Sequence, residues 1–532
     1  MKRNRYIWAM AFISAFTSTL SAQTQYDAAR LIDSDLNGTA RFVGMGGAMG
    51  ALGGDISTVS TNPAGAALFR SNEVSMSLSV NGDATETDFM GAVNSDKSTR
   101  MSFDQLGIIF SSKFDDASSL RYFNYGFNYH KKRNFNKRMS MFGDLMGASL
   151  TDQIAYMTNH DPYGDYNPLP EEDYLQIYDY LDQNYYGSEW DDVSWLSVLG
   201  IQGGLVGPEG IDEYGDYCYI GIPGNAGTFQ SREVGGVNEF DVNLSANIDD
   251  RFYLGMSIAV HDVDYERTTS YTENGLFMNQ ESRYTLKNTM LTEGTGVGLK
   301  LGMIIRPFEY SGFRFGLAVH TPIYYDLSDR HWASLSSTLD NYYGQTDVAM
   351  YDYSLVTPAV YNISLGHTVS NLLAIGAEYE YTDYSSAELQ DDYGNPMYNE
   401  NDIISEDLKG MHTFKIGAEV KVTPDFSIRA GYNYSTAAFK KSAYKWLYSN
   451  DTRTDAEYEN TLERNNISLG LGYRMGNFYA DIAYQYSVRD GEFYPFDSGY
   501  SGNYPFTNDG LLPATQVKNE RNNVLLTLGY KF

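Results

Sequence analysis

Cysteine and positive charge are both scarce in this sequence. One cysteine, Cys218, among 532 residues excludes an internal disulfide and any metal site built from several cysteines. The 38 lysine and arginine residues are outnumbered by 68 aspartate and glutamate residues, which gives a formal net charge of −30. Nucleic acid is therefore not expected as a partner, because phosphate backbones are bound through clusters of lysine and arginine.

Long apolar runs are also missing beyond the N-terminus, so the sequence predicts no transmembrane helix in the mature chain. The first residues have the layout of a secretory signal peptide. Lys2, Arg3 and Arg5 precede an apolar stretch at 6–16, and small residues follow up to Ala22. That apolar stretch is too short to span a bilayer. We expect residues 1–22 to be a signal peptide cleaved near Ala22, and the mature chain to be exported.

Aromatic residues are abundant, with 46 tyrosines and 27 phenylalanines, which argues against disorder. Apolar and polar residues alternate in many segments, such as NEFDVNLSANI (238–248) and TFKIGAEVKV (413–422). A period of two residues is typical of strands with one apolar and one polar face. The pattern predicts fourteen strands, at 73–82, 99–112, 120–131, 236–248, 251–266, 284–306, 312–327, 354–369, 371–385, 410–423, 425–438, 462–475, 477–490 and 519–532.

The connections between these strands alternate in length. Turns such as 249–250, 423–425 and 474–477 are short, whereas every second connection is long and rich in tyrosine, aspartate and asparagine. Outer-membrane barrels have short periplasmic turns and long extracellular loops. The sequence therefore predicts an all-β, 14-stranded antiparallel transmembrane β-barrel in a Gram-negative outer membrane, in contact with phospholipid and lipopolysaccharide. The terminal Phe532 resembles the signal read by the barrel-assembly machinery, which we expect to be a partner.

A glycine-rich segment, RFVGMGGAMGALGGDISTVSTNPAGAALF (41–69), precedes the first predicted strand. Gly44 and Gly46 begin the dinucleotide pattern G-x-G-x-x-G, but Met49 stands at the third glycine position and no strand comes before. Small residues allow close backbone packing. We expect residues 23–72 to form a hatch, or plug, inside the lumen of a barrel at 73–532 whose largest extracellular loop is 132–235. A mobile periplasmic tail is the alternative.

The tripeptide Asn62-Pro63-Ala64, preceded by the glycine run and followed by the first strand, resembles the N-terminal hatch of the FadL/TodX family. Members of that family are 14-stranded outer-membrane channels for hydrophobic compounds. The resemblance implies passive uptake of long-chain fatty acids or aromatic hydrocarbons by loop capture and a hatch shift. It implies hatch and gating roles for five residues: Asn62, Pro63, Ala64, Gly46 and Gly47.

Two further site hypotheses concern ligand capture and release. Near-helical spacing of apolar residues indicates a helix across 141–157, and a second short helix is predicted from Pro170. The candidate ligand contacts are Phe42, Met45, Met141, Leu145, Met146 and Leu150; a packed cap over the barrel mouth is the alternative for the loop residues. In the related family, release can be sideways at an inward strand kink, and Gly126 in the third strand is our candidate because a mid-strand glycine often marks a bend.

Catalysis has no support in the sequence. Neither H-E-x-x-H nor G-x-S-x-G occurs, and the pattern predicts no catalytic residue, no metal site and no cofactor. We expect a monomeric channel for hydrophobic small molecules. Two alternatives stay open at this stage: a barrel that accepts or shuttles secreted proteins through its acidic loops, and a general hydrophilic porin, which a plug would argue against.

Overall fold

The computed structural model describes residues 23–115, 117–160, 166–168, 193–211, 217–277, 280–370, 372–501, 504–505 and 512–532. The expected signal peptide and the short helix predicted from Pro170 lie outside the described residues. No helix in the described part of the chain is both long and apolar enough to cross a membrane.

Fourteen strands form the wall of one closed sheet. They are β1 (Glu73–Phe89), β2 (Ala92–Lys113), β3 (Leu120–Asn134), β4 (Gly224–Ile248), β5 (Phe252–Phe277), β6 (Gln280–Ile305), β7 (Arg314–His320 and Tyr324–Ser337), β8 (Ala349–Val356 and Val360–Val369), β9 (Leu373–Asp383), β10 (Gly410–Lys421), β11 (Phe426–Ser435), β12 (Tyr458–Met475), β13 (Phe478–Tyr494) and β14 (Thr515–Lys531). Each strand pairs antiparallel with the next, and β14 pairs with β1 from Lys531↔Glu73 to Gln516↔Asp88. The predicted fold class is confirmed.

The wall is apolar outside and polar inside. In β1, Met76, Leu78 and Val80 are exposed, whereas the alternate residues Ser75 and Ser77 are buried. A water-soluble protein has the reverse arrangement, because burial of apolar surface drives its folding. Exposed apolar bands with a polar interior are the pattern of a barrel surrounded by lipid.

Several connections predicted to be loops are continuations of strands. The hairpin between β1 and β2 closes at Met90 and Gly91, both with positive φ (53° and 89°). β5 and β6 have 26 residues each, roughly 80 Å of strand, whereas about ten residues cross a membrane. The range predicted as the largest loop, 132–235, starts and ends in strand. The barrel thus continues well beyond the bilayer on this side.

A compact apolar core lies at the long-connection end of the barrel. The chain here adds a strand at Lys137–Gly147, which pairs with β4, and two helices, α3 (Leu150–Asn159) and α4 (Trp195–Gln202). The oxygens of Ser149 and Ser194 accept hydrogen bonds from the first turns of these helices and so begin them. We call this region the cap. A further helix, α5 (Tyr398–Asp407), lies between β9 and β10.

The helix predicted at 141–157 is wrong in its first part. Residues 141–147 are strand, and the helix begins only at Leu150. Over so short a segment, the spacing of the apolar residues fits both a helix and a strand. The segment is a strand because it pairs with β4.

Strands β7 and β8 are both interrupted at the same height. Thr321-Pro322-Ile323 separates the two parts of β7, and Thr357-Pro358-Ala359 separates those of β8. The flanking pairs His320↔Val360 and Tyr324↔Val356 place Pro322 opposite Pro358. The regular ladder is interrupted at these prolines, which have no N–H group to donate, although Thr357 N–H still donates to the Ile323 carbonyl at 3.0 Å. We call this place the proline seam.

Candidate functional site: the hatch and its cavities

Residues 23–72 lie inside the barrel and form the hatch. The hatch contains α1 (Gln25–Ile32), α2 (Ala40–Gly44) and two 3₁₀ helices, Ile56–Ser60 and Pro63–Leu68. Short polar residues begin these elements: Thr39 accepts from Phe42 N–H, and Asp55 accepts from Ser57 N–H. Because these side chains satisfy the free N–H groups at helix starts, a segment with many glycines holds a defined shape.

The hatch seats against glycines of the barrel wall. A Cβ atom at Gly376 would lie 1.9 Å from the Ala48 carbonyl oxygen, and one at Gly417 would lie 2.1 Å from that of Met45. Neither distance is compatible with a side chain. Hatch atoms would also lie within 2.4 Å of a Cβ at Gly107, Gly255, Gly302 and Gly431, and at 3.0–3.3 Å from one at Gly316, Gly366 and Gly470. The wall therefore lacks side chains where the hatch backbone touches it.

The predicted hatch residues shape its turns. Gly46 and Gly47 have φ of 63° and 78°, a region that glycine enters without steric cost. Asn62 is fully buried; its amide nitrogen donates to the Gly50 carbonyl at 2.9 Å and its oxygen accepts from Ala64 N–H at 3.1 Å. Pro63 follows at the first position of a 3₁₀ helix, where no N–H is needed. The tripeptide thus joins two stretches of the hatch.

Ion pairs connect the hatch to the wall. Asp33 and Asp35 lie among four wall arginines, with Arg489 Nη1 2.6 Å from Asp33 Oδ2 and Arg521 Nη1 3.0 Å from Asp35 Oδ2. Arg133 and Arg464 each contact both aspartates. Burial by itself raises the pKa of the Asp35 carboxyl, but the arginines outweigh burial and lower this pKa to about 2. The pairs are therefore fully charged at neutral pH.

A second ion-pair group holds the glycine-rich part of the hatch. The Arg41 guanidinium binds both carboxylate oxygens of Glu419, at 2.9 and 3.0 Å, and donates to the Gly54 carbonyl. Glu419 in turn accepts from Arg429, which also contacts Asp481. Two-point arginine–carboxylate contacts fix orientation as well as distance.

Two internal cavities lie between the hatch and the wall. The larger, about 230 Å³, is bordered by α1, by the four arginines around Asp33 and Asp35, and by aromatic side chains that include Tyr26, Tyr265 and Phe439. The smaller, about 150 Å³, is bordered by Phe42 and Ser60 of the hatch and by Thr321 and Pro358 of the proline seam. One cavity therefore adjoins the N-terminal helix, and the other reaches the interrupted wall.

The candidate ligand contacts are not assembled into one open surface. Phe42 borders the smaller cavity, while Met45 packs against the wall backbone at Gly417 and Gly431. Met141, Leu145 and Leu150 are fully buried in the cap core. Met146 is 58% exposed at a positive φ of 52°. Burial in the cap favours the packed-cap alternative over a capture surface for the loop residues.

Gly126, the predicted site of a strand kink, lies within β3, and a kink there stays a prediction. Gly126 pairs in regular register with Ile109 and Asn243, and the irregularities of β3 lie at 120–122 and 131–133. A Cβ at Gly126 would meet the Ile108 carbonyl at 2.5 Å, so this glycine permits a close approach of neighbouring strands. The terminal Phe532 is half exposed and donates its backbone N–H to Asn72 at 3.0 Å.

Sequence reasoning missed the wall side chains that face the hatch. Arg133, Arg464, Arg489, Arg521 and Glu419 occupy inward positions of their strands. A charged residue on the polar side of a strand looks the same in sequence whether it meets water or a plug.

Comparison with known proteins decides the family. A model of the family described as "Outer membrane protein transport protein (OMPP1/FadL/TodX)" matches residues 226–492, half of the chain. The chain belongs to this family. The predicted family, the outer-membrane location and the transport class are thereby confirmed, and the secreted-protein alternative is not favoured.

Solved structures agree in fold. A FadL homologue from Pseudomonas aeruginosa is 14% identical and superposes with a TM-score of 0.51, covering 94% of this chain and 99% of its own. The toluene transporters TodX of P. putida (12% identity, TM-score 0.46, 94% and 99% covered) and TbuX of Ralstonia pickettii (13%, 0.46, 93% and 99%) are also similar. A search of curated proteins finds no significant match.

Proposed function

We propose that this FadL/TodX family member is a passive outer-membrane channel for hydrophobic compounds, and that the hatch is its gate. The observation that carries the proposal is the pair of cavities bounded on one side by the hatch and on the other by the wall. A ligand in either cavity touches the hatch. A ligand that binds more tightly when the hatch is displaced would therefore shift the hatch without any external energy source.

Part of the lining of the larger cavity suits the apolar body of a ligand, although many of the other lining residues are charged. Tyr26 stacks on Phe439 with ring centroids 5.0 Å apart, and Tyr265 lies under the Arg30 guanidinium. Aromatic faces supply large apolar contact area at small conformational cost. Long-chain fatty acids and aromatic hydrocarbons both have such bodies, so both are proposed substrates.

The proline seam is the proposed exit from the smaller cavity. It joins Gly126 as a candidate for sideways release, because it is where two neighbouring strands are interrupted side by side. On the inner side, Thr321 and Pro358 border the cavity. On the outer side, Tyr324 and Tyr361 are exposed, as expected of aromatic residues near a membrane interface. Release to the periplasm remains the competing outcome of the tests below.

Uptake by whole cells tests the proposed function. Cells that lack their own channel for hydrophobic nutrients would express this chain and be given labelled oleate, toluene or a sugar of similar mass. We expect faster uptake of at least one hydrophobic probe and unchanged uptake of the sugar. Equal acceleration of the sugar would indicate a general porin. No acceleration of either hydrophobic probe, with folded barrel present in the outer membrane, would contradict the proposal.

A further inference from the structure

A row of histidine and carboxylate side chains crosses the inner wall beside the smaller cavity. His130 on β3, Glu239 on β4 and His261 on β5 are direct cross-strand neighbours. Asp241, two residues along β4, points to the same side. All four side chains are at least nine-tenths buried. The proposed transport of hydrophobic compounds does not require buried histidine and carboxylate groups.

The spacing of these groups suits a metal ion. His130 Nδ1 lies 3.5 Å from Glu239 Oε1, and His261 Nδ1 lies 3.6 Å from Glu239 Oε2. Donor atoms of His130, Glu239 and Asp241 all lie within 4.8 Å of one another. Ligands bound tetrahedrally to zinc at about 2.0–2.1 Å are separated from each other by roughly 3.4 Å.

Unsatisfied polar atoms in the cluster point to a missing ligand. Both ring nitrogens of His261 are buried without a hydrogen-bond partner, and so is Asp241 Oδ2. Buried polar atoms nearly always have a hydrogen-bond partner, so these three atoms indicate that an ion or a water molecule binds here. Neutral imidazole and carboxylate together form a ligand set that zinc favours.

The positively charged side chain of Lys300 already lies in the cluster. Its ammonium group contacts Glu239 and lies 3.1 Å from Asp241 Oδ1. Lys300 also borders the smaller cavity, so its flexible side chain has space into which it can turn. The ammonium and a metal ion would compete for the same two carboxylates.

We infer that His130, Glu239 and Asp241 form a binding site for a divalent transition metal, with His261 beside Glu239 as a fourth ligand. Zinc is the best-fitting ion, and Lys300 is the competing internal cation. The site touches the hatch, because His130 Nδ1 is 3.3 Å from the Ser60 hydroxyl. A metal bound at that nitrogen replaces this hydrogen bond and removes one contact between wall and hatch.

Zinc titration of the full-length, detergent-purified chain tests the site. We expect saturable binding of one Zn²⁺ per chain by calorimetry, and a visible absorption band of tetrahedral type when Co²⁺ is used as the probe. His261→Ala should weaken Zn²⁺ binding at least tenfold. Lys300→Met should strengthen it severalfold, because the competing ammonium is gone. His367→Gln is the matched control, since His367 is another wall histidine but is exposed on the outer face.

Each outcome decides the inference. Heat-dependent gel mobility would first show that each variant is a folded barrel. The inference is overturned if neither the natural chain nor Lys300→Met binds one Zn²⁺ saturably, or if His261→Ala binds as tightly as His367→Gln. Should His261→Ala fail to fold, the comparison of Lys300→Met with the natural chain decides: equal affinity overturns the inference and tighter binding supports it.

Discussion

At the scale of single residues, the hatch fits against the wall because the wall has glycines, which lack a Cβ atom, where the hatch touches it. A Cβ at Gly376 would lie 1.9 Å from a hatch carbonyl oxygen, whereas one at Gly82, also in the wall, would have its nearest neighbour at 3.7 Å. Both positions are glycine, but Gly376 faces the backbone of the hatch, whereas the atom nearest to Gly82 belongs to a neighbouring strand of the wall. Glycine at Gly376 is required by packing, while at Gly82 it is not.

This difference makes a residue-scale prediction. Gly376→Val should displace the hatch, because overpacking of this kind costs about 1–3 kcal/mol. Hydrogen exchange of backbone amides in residues 42–52 should accelerate about five- to a hundredfold, as measured by mass spectrometry. Gly82→Val should leave exchange in the hatch unchanged. Equal exchange in both variants would show that the glycine contacts do not position the hatch.

Individual residues also mark the limit of sequence reasoning. Asn62 and Pro63 were recognisable because a turn needs particular residue types at adjacent positions. Asp33 and Asp35 were not, since their role depends on arginines contributed by strands a hundred to nearly five hundred residues away. Met141 and Leu145 were recognisable as apolar, but only the structure shows that they are buried in the cap core, and their role in ligand capture stays a prediction.

At the scale of elements, alternation located all fourteen strands, and their ends were less well defined. The pattern of lipid-facing and lumen-facing residues exists only within the membrane, so strand extensions beyond it, such as the outer part of β5, carry a weaker signal. The interruptions of β7 and β8 were visible as two Thr-Pro pairs. That the two interruptions lie side by side could not be predicted, because only the pairing register of the strands places Pro322 opposite Pro358.

The proline seam makes an element-scale prediction. A disulfide between Thr321→Cys and Ala359→Cys, which the flanking register places opposite each other, would tie the two strands together. Uptake of the hydrophobic probe should fall severalfold under oxidising conditions and recover with reductant, in a Cys218→Ser background. The control pair Leu317→Cys and Ile363→Cys joins the same strands where the ladder is continuous, and should not affect uptake. Full uptake with the seam tied would place the exit elsewhere.

At the scale of the whole molecule, the chain combines a rigid closed wall with an interior that is packed against it. The wall needs no partner to satisfy its strand edges, because β14 closes on β1. The hatch satisfies its own polar groups through caps, and holds to the wall through glycine contacts and through the ion pairs of Asp33, Asp35 and Arg41. With this division, the proposed shift of the hatch would leave the barrel intact.

Conductance in a planar lipid bilayer tests the central claim, that residues 23–72 close the lumen. The natural chain should show only small, rare current steps. A chain with residues 23–72 deleted after the signal peptide should show large, stable steps, because the inner face of the wall is polar and would fill with water. Large steps from the natural chain, or indistinguishable currents from the two chains, would contradict the account.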